Sequence, residues 1–198
     1  MNDHGGGSLV LITGGARSGK STFAEKLALE SKKKVIYLAT ARVEDEEMRE
    51  RVAAHKKRRP DNFRTVEEPE EPHLVFEKET GSGNLVLLDC LTLLVSNRIL
   101  TDLNRHGAVR QGEDIFADER LLEEAGQRTL GYITGLAQAA AKYPAGVVVV
   151  TNEVGMGVVP NYPLGRVFRD YSGRANQIMA EAADQLWLVV CGIPRRFK

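Results

Sequence analysis

The sequence is poor in the groups that would tie it together covalently, root it in a membrane or draw it to nucleic acid. It has two cysteines in 198 residues, Cys90 and Cys191, each in or beside an apolar strand-like run. The simplest account is a pair of buried free thiols in a reducing cytosol. Of the four histidines, His4, His73 and His106 lie in polar stretches and make no ligand spacing, so a structural zinc site has no support. Formal net charge is zero, from 27 basic and 27 acidic residues, so no overall positive field attracts nucleic acid. Aromatics make up 6% of the chain and form no stacking series beside its one basic run. No stretch holds eighteen consecutive apolar residues, which excludes a transmembrane helix. Met1 to Ser8 is polar and Gly-rich, and is expected to be a disordered lead-in rather than a signal peptide. The remainder, 9–198, is expected to be a single cytoplasmic catalytic domain that binds nucleotide.

Against these absences stands one decisive string, Gly14-Gly15-Ala16-Arg17-Ser18-Gly19-Lys20-Ser21. It follows the apolar run Leu9–Ile12 and precedes a helical pattern from Thr22 to Glu30, the order strand, Gly-rich loop, helix that a phosphate-binding loop requires. Glycines let the backbone turn its N–H groups inward, and the positive end of the following helix adds to their field. Lys20 is expected on the terminal phosphates of a nucleoside triphosphate and the Ser21 hydroxyl on Mg²⁺. Arg17 adds charge within the loop.

Five apolar runs read as strands: Leu9–Thr13, Val35–Ala39, Leu85–Asp89, Val147–Thr151 and Leu186–Cys191, with Phe63–Val66 as a short sixth. Several lack polar alternation, the pattern of parallel strands covered on both faces. Helical patterns alternate with them over Ser21–Glu30, Glu46–Lys57, Leu91–Leu103, Asp118–Ala141 and Gly173–Ala183, and Asn104–Glu113 reads as an exposed excursion. The alternation predicts an α/β, three-layer P-loop NTPase-type fold, RecA-like, with a mostly parallel central sheet. Ligands of such sheets sit at the carboxyl ends of the strands. The polar endings there are Thr40-Ala41-Arg42, Asp89 and Thr151-Asn152-Glu153. Asp89 reads as a metal-supporting acid opposite the loop serine, or else Asp89 or Thr92 as a helix cap. Glu153 reads as a Mg²⁺ organiser, a hydroxyl-binding group or a base, or else as a turn residue. The loop Gly155-Met156-Gly157 reads as a mobile or close-approach segment.

His55 differs from the other histidines. It sits late in the 46–57 pattern, on the face of Met48 and Val52, and Lys56-Lys57-Arg58-Arg59 follows at once. Adjacent positive charge favours the neutral imidazole, which can attack phosphorus while the same charges hold the phosphates. A packed half-core histidine and a solvated basic helix end are the other readings of these residues. Three rival functions remain in view: a simple small-molecule kinase without a covalent histidine, a nucleotide switch acting on a protein partner, and a nucleic-acid binder.

Several strings taken together are specific. They are the phosphate loop, Tyr37-Leu38-Ala39-Thr40, Asp45-Glu46-Glu47-Met48, His55-Lys56-Lys57-Arg58-Arg59-Pro60, Phe63-Arg64-Thr65-Val66-Glu67, Thr151 through Pro160, Phe168-Arg169-Asp170 and Gly173-Arg174-Ala175-Asn176-Gln177. With them the chain, from about Leu9 to Gly192, resembles the bifunctional adenosylcobinamide kinase / adenosylcobinamide-phosphate guanylyltransferase family of cobalamin biosynthesis. The resemblance implies two reactions: phosphorylation of the aminopropanol hydroxyl of adenosylcobinamide by ATP or GTP, then transfer of GMP from GTP through a GMP–histidine intermediate. His55 matches the histidine that becomes guanylylated. Relatives often carry a second histidine just before it, where this chain has Ala54. The resemblance also places nucleotide contacts on Gly14 to Ser21, Thr40, Ala41, Arg42, Lys56, Lys57, Arg58, Arg59, Glu67 and Asp89. Many relatives have glutamate where this chain has Asp89, shorter by one methylene. Lys20, Asp89 and Glu153 join His55 as candidate catalytic residues, and Ser21 and Asp89 as Mg²⁺ ligands. A small-molecule corrinoid substrate, no nucleic-acid partner and a homo-oligomer, a trimer by resemblance, complete the expectation.

Overall fold

The inner strands are mostly Val, Ile and Leu, and each is buried along almost its whole length. The protein, analysed as a computed structural model, is described over residues 7–42, 46, 60, 62–106 and 118–198. Among them the elements run β1 Leu9–Gly14, α1 Lys20–Glu30, β2 Val35–Ala39, β3 Phe63–Glu67, α2 His73–Glu79, β4 Leu85–Asp89, α3 Leu91–Arg105, α4 Glu119–Lys142, β5 Val147–Val150, α5 Pro163–Ala182, β6 Gln185–Val190 and β7 Ile193–Arg196.

The sheet has the order β3-β2-β4-β5-β1-β6-β7 and is parallel except for β7, which pairs antiparallel with β6. Alternate residues of each strand feed two cores. Leu9, Leu11, Ile36, Leu38, Val86, Leu88, Val147 and Val149 face a layer built from α2, α3, α4 and α5. Ile12, Val35, Tyr37, Leu87, Val148 and Val150 face α1 through Ala24 and Ala28. This is the three-layer, mostly parallel α/β arrangement expected of a RecA-like P-loop fold, with β5 inserted between β1 and β4. No described helix is long and apolar enough to cross a membrane.

Where α4 and α5 meet, Gly126 lies under the ring of Tyr171, which is 1% exposed. A Cβ at 126 would fall 2.5 Å from ring carbons. Gly131 and Gly135, on the same helix, have nothing within 4 Å of that position. Gly126→Ala is therefore expected to cost about 2 kcal/mol by overpacking, whereas Gly131→Ala gains up to ~1 kcal/mol of helix propensity. Urea unfolding of the two variants checks the opposite signs.

Three elements depart from the expectation. α5 starts at Pro163, ten residues before Gly173, because Leu164, Val167 and Tyr171 continue its apolar face inward and proline is suited to the first helical turn. His73 lies not in a polar connection but on α2, which buries Val75 and Phe76. Ile193–Arg196 is a strand, and its Pro194 is tolerated at a sheet edge. The expected burial of Cys191 is corrected as well. Cys191 and Gly192, with φ of 51° and 80°, form the two-residue turn between β6 and β7, and the thiol is exposed. Cys90 is buried as expected, and burial pushes its thiol up to about 12.

At the amino end, the Ser8 carbonyl accepts a 3.0 Å bond from the Val147 N–H and Gly7 abuts Gly146, so the last two residues of the expected lead-in lie against the start of β5. Its first six lie outside the described residues. Asn104 and Arg105, expected in the excursion, complete α3, while 107–117 lie outside the described residues. Of the helix expected over 46–57 only Glu46 is described.

Candidate active site

The loop between β1 and α1 is shaped by what touches it. A Cβ on Gly14 would meet the Val189 carbonyl at 2.5 Å and Ser18 Oγ at 2.6 Å, so only glycine fits. Gly19 holds φ at 94° and stands at the N-cap of α1 without a side-chain cap, and no acid occupies the first helical turn. The first N–H groups of α1 are thus left to a ligand, with the positive end of the helix behind them. The β6–β7 turn braces the loop from behind, with Gly192 N–H donating to the Ser18 carbonyl at 2.8 Å. Lys20 is 8% exposed and its Nζ donates to the Gly15 carbonyl at 3.0 Å. Burial lowers its pKa, against the opposing pull of the Asp89 carboxylate. Ser21 follows, half-buried, in the first turn of α1.

Asp89 closes β4 and accepts a hydrogen bond from the hydroxyl of Tyr37 on β2. Neither Asp89 nor Thr92 caps α3: the N-cap is Cys90, with no side-chain cap bond. Thr92 Oγ1 instead accepts from the Asn152 N–H at 2.8 Å. The capping alternative is thereby set aside.

Thr40, at the end of β2, is fully buried. Its hydroxyl donates to the Cys90 carbonyl at 2.8 Å and accepts from the Cys90 N–H at 2.9 Å, stapling the ends of β2 and β4 together. Ala41 is half-buried, and Arg42 turns its guanidinium to Glu70 and to Thr101, the latter at 2.7 Å. Glu67 ends β3 in register with Ala39.

Glu153, three residues beyond β5, is drawn in beside the loop. Its N–H donates to the Gly14 carbonyl at 3.1 Å, and its Oε1 accepts from Thr13 at 2.8 Å and from Asn176 Nδ2 at 3.4 Å. Because β5 lies between β1 and β4, Glu153 comes up between the phosphate loop and Asp89. The expected close approach at 155–157 is not found: a Cβ on Gly155 or Gly157 would meet nothing within 4 Å, and Met156 and Val158 are 84% and 94% exposed.

The structure therefore brings Lys20, Ser21, Asp89 and Glu153 to one edge of the sheet, with Thr40 beneath them and Arg42 turned aside. His55 and Lys56, Lys57, Arg58 and Arg59 lie outside the described residues. Among the described residues no group of three or more His, Cys, Asp or Glu makes a metal cage. Thr151, expected among the polar strand endings, is there, whereas sequence reasoning missed Thr13 and Tyr37 as polar parts of the site and assigned no role to Asn176. Asn176 stood in a string that carried the resemblance, but nothing local to the helix points it at Glu153.

The chain matches known proteins along nearly its whole length. The family model described as cobinamide kinase / cobinamide phosphate guanyltransferase matches residues 10–197. The bifunctional adenosylcobalamin biosynthesis protein CobU of Escherichia coli is 42% identical over 190 residues, covering 96% of this chain and 99% of that protein. The bifunctional adenosylcobalamin biosynthesis protein CobP of Pseudomonas aeruginosa is 37% identical over 188 residues, covering 95% and 96%. Among solved structures, the RadB recombinase aligns with TM-score 0.42 at 17% identity, over 92% of this chain and 74% of that one.

Proposed function

With the premise that the chain belongs to the cobinamide kinase / cobinamide phosphate guanyltransferase family, we propose that one phosphate loop serves both of its transfer reactions. In the first, the aminopropanol hydroxyl of adenosylcobinamide attacks the γ-phosphorus of ATP or GTP. The new O–P bond forms as the bond to the β-phosphate oxygen breaks, and the hydroxyl proton passes to Glu153. Lys20 and the loop N–H groups hold charge on the transferring phosphoryl group and the leaving diphosphate. The observation that carries this reading is the convergence of Lys20, Asp89 and Glu153 from the ends of three neighbouring strands.

Mg²⁺ suits the donors present: the Ser21 hydroxyl and the Asp89 carboxylate, direct or through water, leave most of its shell to phosphates and water. When bound, it neutralises phosphate charge.

In the second reaction a ring nitrogen of His55 attacks the α-phosphorus of GTP, forming a P–N bond and releasing pyrophosphate. The phosphate oxygen of adenosylcobinamide phosphate then attacks that phosphorus, breaks the P–N bond and leaves as adenosylcobinamide-GDP. Lys56 to Arg59 are assigned to the departing pyrophosphate. For the homo-oligomer that the resemblance implies, the exposed Val190, Ile193 and Phe197 beside the sheet edge offer an apolar surface.

Purified protein incubated with Mg²⁺ and α-labelled GTP tests the reading. The expected result is protein-bound label that is lost in acid and survives alkali, the behaviour of a phosphoramidate. Phosphorylation of adenosylcobinamide without any bound label would leave a simple kinase and overturn the covalent step.

A further inference from the structure

A chain of hydrogen bonds runs from α3 through β5 and α5 to Glu153, and its polarity follows from the chemistry of its members. Asn176 Nδ2 lies 3.1 Å from the Asn152 carbonyl and 3.4 Å from Glu153 Oε1. A carbonyl and a carboxylate only accept, so the amide nitrogen must face them and Oδ1 must face the other way. Oδ1 lies 2.6 Å from Thr151 Oγ1, so Thr151 must donate to it. Thr92, 3.1 Å from Thr151, must then give its own proton to the Thr151 oxygen, and it accepts the Asn152 N–H at 2.8 Å. Every proton in the chain has one assigned direction, and Thr92 and Thr151 are buried. Such a closed network holds its end group in one orientation.

That end group is Glu153. Its Oε1 is held by Asn176 and, from the β1 side, by Thr13 at 2.8 Å. Among the described residues nothing bonds its Oε2, which is left to the substrate. We propose that Asn176 is the positioning residue for the Glu153 carboxylate in phosphoryl transfer, fixing Oε1 so that Oε2 meets the acceptor hydroxyl. The proposal rests on the reading that Glu153 takes the proton of that hydroxyl. The carboxylate belongs to the β5–α5 connection, and its rotamer is set by a helix and a strand that are rigid parts of the core.

A mutant cycle on the complete enzyme, with γ-labelled ATP and adenosylcobinamide, tests it. Glu153→Gln is expected to lower kcat by about 10²–10⁴-fold. Asn176→Ala is expected to lower kcat by about 10–100-fold with the KM for ATP unchanged. The double variant is expected to be no slower than Glu153→Gln alone, since a residue that acts only through Glu153 has nothing left to position. Thr13→Val, which removes the other donor to Oε1 without changing shape, is expected to show the same non-additivity and stands in should Asn176→Ala not fold. Equal losses from Asn176→Ala in both backgrounds would overturn the proposal, because a merely structural role acts regardless of residue 153. A fall in kcat matched by a rise in KM for ATP would overturn it too. Full activity in Glu153→Gln would instead remove the reading beneath it.

Discussion

His55→Ala is expected to lose protein-bound GMP entirely, and with it adenosylcobinamide-GDP formation, by about 10³-fold or more. The loss is expected to be large because the residue before His55 is Ala54, so no neighbouring imidazole stands ready to replace it. Phosphoryl transfer to adenosylcobinamide is expected to continue, since the groups proposed for it are set by other elements: Lys20 opens α1, and Asp89 and Glu153 follow from β4 and β5. Parallel assays with α-labelled GTP and γ-labelled ATP read the two activities separately. Undiminished adenosylcobinamide-GDP formation in the variant would show direct attack on the α-phosphorus and remove the covalent intermediate. Loss of both activities would show that His55 serves the shared nucleotide site.

Lys20→Met is expected to have the opposite pattern, lowering both reactions by about 10²–10³-fold, because both draw on the same phosphate contacts. Its effect on stability is distinctive. Lys20 is 8% exposed and burial depresses its pKa, so before nucleotide binds the charged form is less favoured than in the unfolded chain. A lysine whose pKa is lower in the folded chain than in the unfolded one opposes folding. That opposition is fully present below the folded pKa and is relieved as pH rises from there to the ordinary value of 10.5. Lys20→Met, without nucleotide, is therefore expected to melt at or above the wild-type temperature at neutral pH, with the gap closing as pH approaches 10.5. Adding ATP and Mg²⁺ raises the melting temperature of the wild type alone, by mass action. A variant that melts well below wild type at neutral pH would show that Lys20 stabilises the loop rather than waiting for phosphate. Stability given up for binding is common in sites of this kind.

The parts of the fold legible in the sequence were those with strong local signals. Val35–Ala39 and Leu85–Asp89 carry unbroken apolar runs, and their observed bounds match the expected ones. The loop from Gly14 to Ser21 is legible because its glycines, lysine and serine are contiguous in sequence, although the Val189 carbonyl and the Gly192 N–H that press on it are not. α2, the first half of α5 and β7 were not legible, each for a different reason. α2 is only seven residues long, too short for its periodicity to emerge. The start of α5 holds a proline and a glycine, which read as loop until Leu164, Val167 and Tyr171 find their core. β7 exists only because β6 pairs with it across the Cys191-Gly192 turn.

The candidate site divides along the same line. Its chemical types, a phosphate loop, an acid after β4 and an acid after β5, follow from residue identity and order, since strand ends of a parallel sheet share one edge. The hydrogen bonds that orient them do not. Thr13 and Glu153 are 140 residues apart, Tyr37 and Asp89 are 52 apart, and Asn176 reaches Glu153 across 23. The order of residues suffices to say that this chain must bind phosphate, because recognition by backbone N–H groups is a local property of a glycine loop and the helix it opens. It does not suffice to say which side chains hold Glu153, or that Thr40 and Arg42 are occupied in holding strands and helices together. A hydrogen bond depends on position in space, and that is set by the packing of the whole sheet.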